Sequence, residues 1–167
     1  MRKSHYLLSV IILLCTLCNT IAQAQTKTIF LTRHAEKAED TGDRNPELNE
    51  AGLRRAQNLA NILSEADIEL IYSTDFKRTL GTGLPLAEKL GIEISLYDSR
   101  DENFLNKILL ESGDKRILII GHANTIPRMA NQLIKKNTHP FLDETEYDKL
   151  FMVTMMGDLS DCVVIKY

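Results

Sequence analysis

The chain has 167 residues, 44% hydrophobic and 26% charged, the make-up of a globular domain with its own core and not of a disordered, collagen-like or low-complexity segment. Arg2 and Lys3 are the only Lys, Arg, Asp or Glu among the first 24 residues, which leaves 18 of the 20 basic side chains against all 23 acidic ones and a net charge of −5 on residues 25–167. Such a chain has no bulk attraction for nucleic acid or an anionic membrane surface, so any anion it handles must be met by a local cluster of cations.

Residues 1–4 are short and basic, residues 6–18 form a nearly unbroken apolar run, and Ala22-Gln23-Ala24 puts small side chains at the two positions a signal peptidase reads. This pattern predicts a signal peptide over residues 1–24, cleaved after Ala24, and a single mature domain over residues 25–167. The apolar run is shorter than the about 20 residues of a spanning helix, so no stable membrane insertion is expected once the signal is gone; an uncleaved anchor is the alternative. Cys15 and Cys18 each follow a leucine, where a lipidated cysteine would want a small residue. The expected location is therefore periplasmic or secreted. Of the three cysteines only Cys162 stays in the mature chain, beside Val163, Val164 and Ile165, as expected of a small core residue and without a disulfide partner.

Residues 28–32 read as a short buried strand, followed by a polar loop over residues 37–49. Asn49 can cap a helix over residues 50–64 with Leu53, Ala56, Leu59, Ala60 and Leu63 on one face. A second strand is expected over residues 68–72, then a helix over residues 76–90 ended by Gly91. Gly81, Gly83 and Pro85 make that helix poor by propensity, each Gly costing ~1 kcal/mol against Ala, so it either breaks or is compensated by close packing. Residues 92–97 read as a third strand, 102–111 as a short helix, and 116–121 as the clearest central strand. A helix over residues 125–136 carries Pro127 in its first turn, where proline is welcome, and strands over residues 150–155 and 161–166 finish the chain. Strands alternating with helices predict an α/β domain with a largely parallel sheet covered on both faces.

The predicted strand ends carry the chemistry. Arg33 and His34 end the first strand, Arg78 follows the second, and His122 ends the central one, where open α/β sheets bind ligands. A helix start at Asn124 and Thr125 adds free backbone N–H groups, with Asn124 a candidate substrate contact. This set suits phosphoryl transfer through a covalent phosphohistidine: His34 attacks phosphorus as a neutral imidazole in a fixed tautomer, while Arg33, Arg78 and His122 meet the charge on the equatorial oxygens. With two guanidiniums in place no metal ion or other cofactor is needed. His139, beside Pro140 in a polar loop, is expected to be structural.

The segments LTRHAEK (31–37), PELNEAGLRRAQNLA (46–60), IYSTDFKRTLGTGLPLAEKLG (71–91) and LIIGHANTIP (118–127) resemble, in order and spacing, the signatures of the histidine phosphatase superfamily, the phosphoglycerate mutase-like proteins. EYDKLF (146–151) is similar to small exported members. The resemblance implies a three-layer α/β/α, phosphoglycerate mutase-like fold with a mostly parallel central sheet, His34 as the phosphorylated nucleophile, and Arg33, Arg78 and His122 as the phosphate pocket. Ala35 stands where glycine is usual, Gly83 where alanine is usual, and Ala123 where the acid phosphatase and phytase branch carries an aspartate proton donor. The mutase branch's glutamate-bearing segment is not recognisable. Asp98 and Glu102, at a loop edge after the third strand, are then the proton-donor candidates, with Glu36 a lesser one that orients the pocket.

The expected activity is hydrolysis of small-molecule phosphomonoesters, since short connections leave the pocket open to water, with a phosphomutase or a catalytically weak phosphate-ester-binding module as alternatives. A metallohydrolase using His34, Glu36, His122 and His139 is disfavoured because Arg33 beside the ligands would repel a cation.

Overall fold

The computed structural model describes residues 26–39 and 42–167; the signal predicted over residues 1–24, with Cys15 and Cys18, lies outside the described residues. In chain order the elements are β1 (Thr26–Arg33), α1 (Glu50–Leu63), β2 (Ile68–Ser73), α2 (Lys77–Leu90), β3 (Ile94–Leu96), α3 (Phe104–Glu111), β4 (Arg116–Gly121), α4 (Thr125–Ile134), β5 (Lys149–Met156) and β6 (Leu159–Lys166). They build one six-stranded sheet in the order β3-β2-β4-β1-β5-β6. The first four strands run parallel, whereas β5 is antiparallel to β1 and β6 antiparallel to β5.

The apolar run of β4 explains its central place, because a strand covered on both faces must be apolar at every position. Ile117 and Ile119 face Phe104, Leu105 and Ile108 of α3 and Ile126, Met129 and Leu133 of α4. Leu118 and Ile120 point the other way, toward Leu59, Ala60 and Leu63 of α1 and Leu86 and Ala87 of α2. Each such side chain contributes roughly 1.5–3 kcal/mol by leaving water. Helices on both faces of the sheet make the three-layer α/β/α arrangement expected from the sequence.

Four local expectations are refined. Helix α2 does not break at Gly81, Gly83 or Pro85: Gly83 lies so close to the sheet that a Cβ there would come within 2.5 Å of Ile120 Cδ1, so close packing offsets poor propensity. Strand β3 is three residues long because Ile92 is drawn into the cap of α2, its N–H reaching Ala87 O at 3.0 Å while Gly91 takes φ +67°. Helix α4 stops at Ile134, where Lys135 turns left-handed at φ 55° and closes the last carbonyls. In α1 the buried stripe begins at Gly52, whose Cα packs against the Glu36 backbone, and Leu53 is left 58% exposed.

Candidate active site

The parallel register of β1 and β4 brings the two histidines together. Arg33 pairs with Gly121, so the next residues, His34 and His122, leave adjacent strands at the same level. The His34 N–H still reaches Gly121 O at 2.9 Å, and the two rings lie 5.5 Å apart, edge to face. Strand β2 ends one step away, with Ser73 opposite Ile120. The following Thr74 places its Oγ1 3.1 Å from His122 Nε2, and Phe76 sets its ring against the His122 ring at 5.2 Å. One turn on, Arg78 lays its guanidinium over the Phe76 ring, 4.4 Å from the centroid.

His34 is 4% exposed, and its Nδ1 lies 2.8 Å from the carbonyl oxygen of Ala35. A carbonyl can only accept, so Nδ1 carries the hydrogen and Nε2 keeps its lone pair. Ala35 is itself anchored, its N–H donating to Thr82 Oγ1 (2.9 Å) while that hydroxyl donates to Arg78 O (2.7 Å). One α2 threonine thus ties the loop carrying His34 to the turn carrying Arg78. Burial above all, then the charges of Arg33 and Arg78, push the His34 pKa down to about 3, against a smaller upward pull from the Ala35 bond. Burial, followed by Arg78 and Arg33, pushes His122 down to about 4. Both imidazoles are neutral at physiological pH.

Arg33 is 2% exposed and is clasped from behind by the loop before β5. Its Nη1 donates to the carbonyls of Asp143 (2.8 Å), Glu144 (3.1 Å) and Glu146 (3.2 Å), and Nη2 to Glu144 Oε2 (3.0 Å). The guanidinium also stacks over the Tyr147 ring, 4.1 Å from its centroid, and that ring lies 6.0 Å from the His34 ring. The Nε–H groups of Arg33 and Arg78 are buried with no hydrogen-bond partner. Two unspent, oriented cationic donors beside a neutral imidazole nitrogen are what a tetrahedral oxyanion requires.

The structure therefore brings Arg33, His34, Arg78 and His122 into one cluster; of the proton-donor candidates, Asp98 lines the crevice beside Thr74 and Phe76, whereas Glu102 lies elsewhere. Asp98 is solvent-exposed, and Arg100 donates to both its oxygens (3.0 and 2.9 Å), which holds the carboxyl below the usual range, the wrong direction for an acid at neutral pH. Glu102 opens onto a separate crevice with Asn103, Arg128 and Gln132, because the chain turns into α3 away from His34. Burial pushes the Glu36 carboxyl up, but the Arg55 fork outweighs it and leaves the group below its usual range; Arg55 also binds Tyr167 O at 2.8 Å, fixing the loop after β1. Asn124 precedes α4 with its side chain exposed and making no cap; Thr125 Oγ1 instead accepts from the His122 N–H at 2.9 Å. His139 packs its ring edge on Phe151. Among the described residues no three His, Cys, Asp or Glu side chains are grouped to hold a metal ion, and no helix is long and apolar enough to cross a membrane. Tyr147, Glu144 and Thr74 were missed as site residues. Thr74 lies within the IYSTDFK segment and Tyr147 within EYDKLF, whereas nothing in the sequence pointed to Glu144.

Residues 29–103 match the family model of the histidine phosphatase superfamily, branch 1. Phosphoserine phosphatase 1 of Hydrogenobacter thermophilus is 37% identical over 75 residues, which cover 42% of this chain and 36% of that protein; the match thus spans about a third of the relative's length. Among solved structures, mycobacterial glucosyl-3-phosphoglycerate phosphatase bound to inorganic phosphate superposes with a TM-score of 0.68 at 14% identity, over 84% of this chain and 97% of that one. The protein histidine phosphatase SixA bound to tungstate gives a TM-score of 0.69 at 18% identity, over 83% of this chain and 96% of that one. At those identities the likeness shows the fold. The family match thus covers residues 29–103, under half of the chain, and the solved structures extend the likeness of fold over more than four-fifths of it.

Proposed function

We propose that the protein hydrolyses small phosphomonoesters through a phosphohistidine on His34, without a metal ion. The observation that carries this reading is the Nδ1 contact of His34 with Ala35 O, which leaves Nε2 free beside the unpartnered Nε donors of Arg33 and Arg78. In the first step Nε2 attacks phosphorus and the ester oxygen departs, while the two guanidiniums and His122 hold the equatorial oxygens. Water then displaces the imidazole and releases phosphate.

The crevice next to His122, about 650 Å³ and lined by Thr74, Phe76, Tyr97, Asp98 and Arg100 among others, is open enough for a small leaving group and for water. That openness favours hydrolysis over retention of the phosphoenzyme for a mutase. The name of the Hydrogenobacter relative makes phosphoserine one small ester worth trying. Export to the periplasm or beyond is part of the proposal and rests on the leader pattern of residues 1–24.

The test is turnover of p-nitrophenyl phosphate, whose leaving group needs no proton, by the wild-type protein and by His34→Ala in the presence of a strong chelator. Wild-type turnover should survive the chelator and fall about 1,000-fold or more in the variant. Near-normal activity of His34→Ala overturns the nucleophile. Activity lost to chelation and restored by a divalent cation overturns metal independence, and phosphate binding without turnover identifies a binding module instead.

A further inference from the structure

Resting on that phosphatase reading, we propose that Tyr147 is the proton donor to the leaving group, a role that Asp98, held ionised by Arg100, and Glu102, in a separate crevice, do not fill. Its ring centroid is 6.0 Å from that of His34 and lies under the guanidinium of Arg33, 4.1 Å away. The ring is thus fixed by stacking, while its hydroxyl makes no hydrogen bond to another described residue. That oxygen also lies within electrostatic reach of Arg78: burial and Arg33 disfavour the charge on Arg78, and Tyr147 opposes them. The phenol is thus bordered by the nucleophile and by both phosphate-binding guanidiniums.

The carboxylates nearby are spent. Glu36 is held ionised by Arg55 and Asp98 by Arg100. Glu144 gives an oxygen to Arg33. On the same loop the backbone of Thr145 holds Asp143 below the usual carboxylate range, and Lys149 does the same to Glu146. Phenols, unlike ionised carboxylates, bring a proton to the reaction at neutral pH. A phenolate formed beside two guanidiniums is also stabilised by them.

The step balances as follows. His34 Nε2 forms the bond to phosphorus as the bond from phosphorus to the ester oxygen breaks. The electron pair of that bond goes to the oxygen, and Tyr147 passes its hydroxyl proton to it, so the alcohol leaves neutral. In the second step a water oxygen attacks phosphorus, the P–N bond breaks with its electrons returning to Nε2, and the water proton restores the Tyr147 hydroxyl.

Tyr147→Phe removes the hydroxyl and keeps the ring that supports Arg33. The test compares kcat/KM on phenyl phosphate and p-nitrophenyl phosphate, two esters of nearly equal size whose leaving groups differ in their need for a proton. In Tyr147→Phe the phenyl ester should lose about 100-fold and the nitrophenyl ester only several-fold, with the thermal unfolding midpoint showing that the fold is kept. In Tyr147→Leu, which also removes the platform under Arg33, both esters should fall. Equal losses on the two esters in Tyr147→Phe, or no loss on either, overturn the assignment while leaving the phosphatase reading intact. A wild-type protein that hydrolyses neither ester overturns that reading and this inference together.

Discussion

At His34 burial and charge act in the same direction. A cationic imidazole would lose its hydration and sit beside two guanidiniums, so protonation is disfavoured and the pKa falls to about 3, with His122 following to about 4. A lowered pKa means that the neutral, nucleophilic form is already complete well below pH 6. Titration of the imidazole resonances in the ligand-free protein should therefore show the His34 ring unchanged between pH 5 and 8, with its hydrogen on Nδ1; a midpoint at the ordinary imidazole value near 6.5 contradicts this. Arg33, His34 and His122 were legible from sequence because they directly follow apolar runs that could only be strands. Tyr147 was not, because the loop carrying it has no periodicity, and its meaning comes from Arg33, 114 positions earlier in the chain.

At the level of elements, the start of α1 positions the loop behind the nucleophile. Asn49 caps the helix by accepting from the Gly52 N–H at 2.9 Å, and the Asn49 N–H reaches Glu36 O at 3.0 Å. A Cβ on Gly52 would lie 2.1 Å from that same Glu36 oxygen, and a backbone atom there cannot swing aside as a side-chain end could. Gly52→Ala gains ~1 kcal/mol of helix propensity but should be overridden by this clash, with a net loss of about 1–2 kcal/mol in denaturant unfolding. Unchanged or increased stability contradicts that packing. The Asn49 cap and the apolar strands could be read from sequence because each is a local signal. The shortness of β3 and the exposure of Leu53 could not, because one depends on hydrogen bonds closing the previous helix and the other on how α1 is rotated against Glu36.

At the level of the whole molecule, an acidic chain concentrates two arginines where four parallel strands end, and its strand order makes this possible. The chain visits β2 and β3 before returning to insert β4 between β2 and β1, which seats His122 beside His34 and Thr74. Alternation of strands and helices implied a parallel sheet but carried no information on that insertion, so the convergence of the four side chains was an expectation until the registers of β1 and β2 on β4 and the Phe76 contacts showed it. The measurement that tests the resulting chemistry most directly is brief exposure of the protein to phosphoryl-labelled p-nitrophenyl phosphate, an alkaline quench, and mapping of the label. Label should appear on His34, be lost in acid, and be missing from His34→Ala. Turnover with no label on His34, or equal labelling of the variant, would contradict a phosphohistidine route.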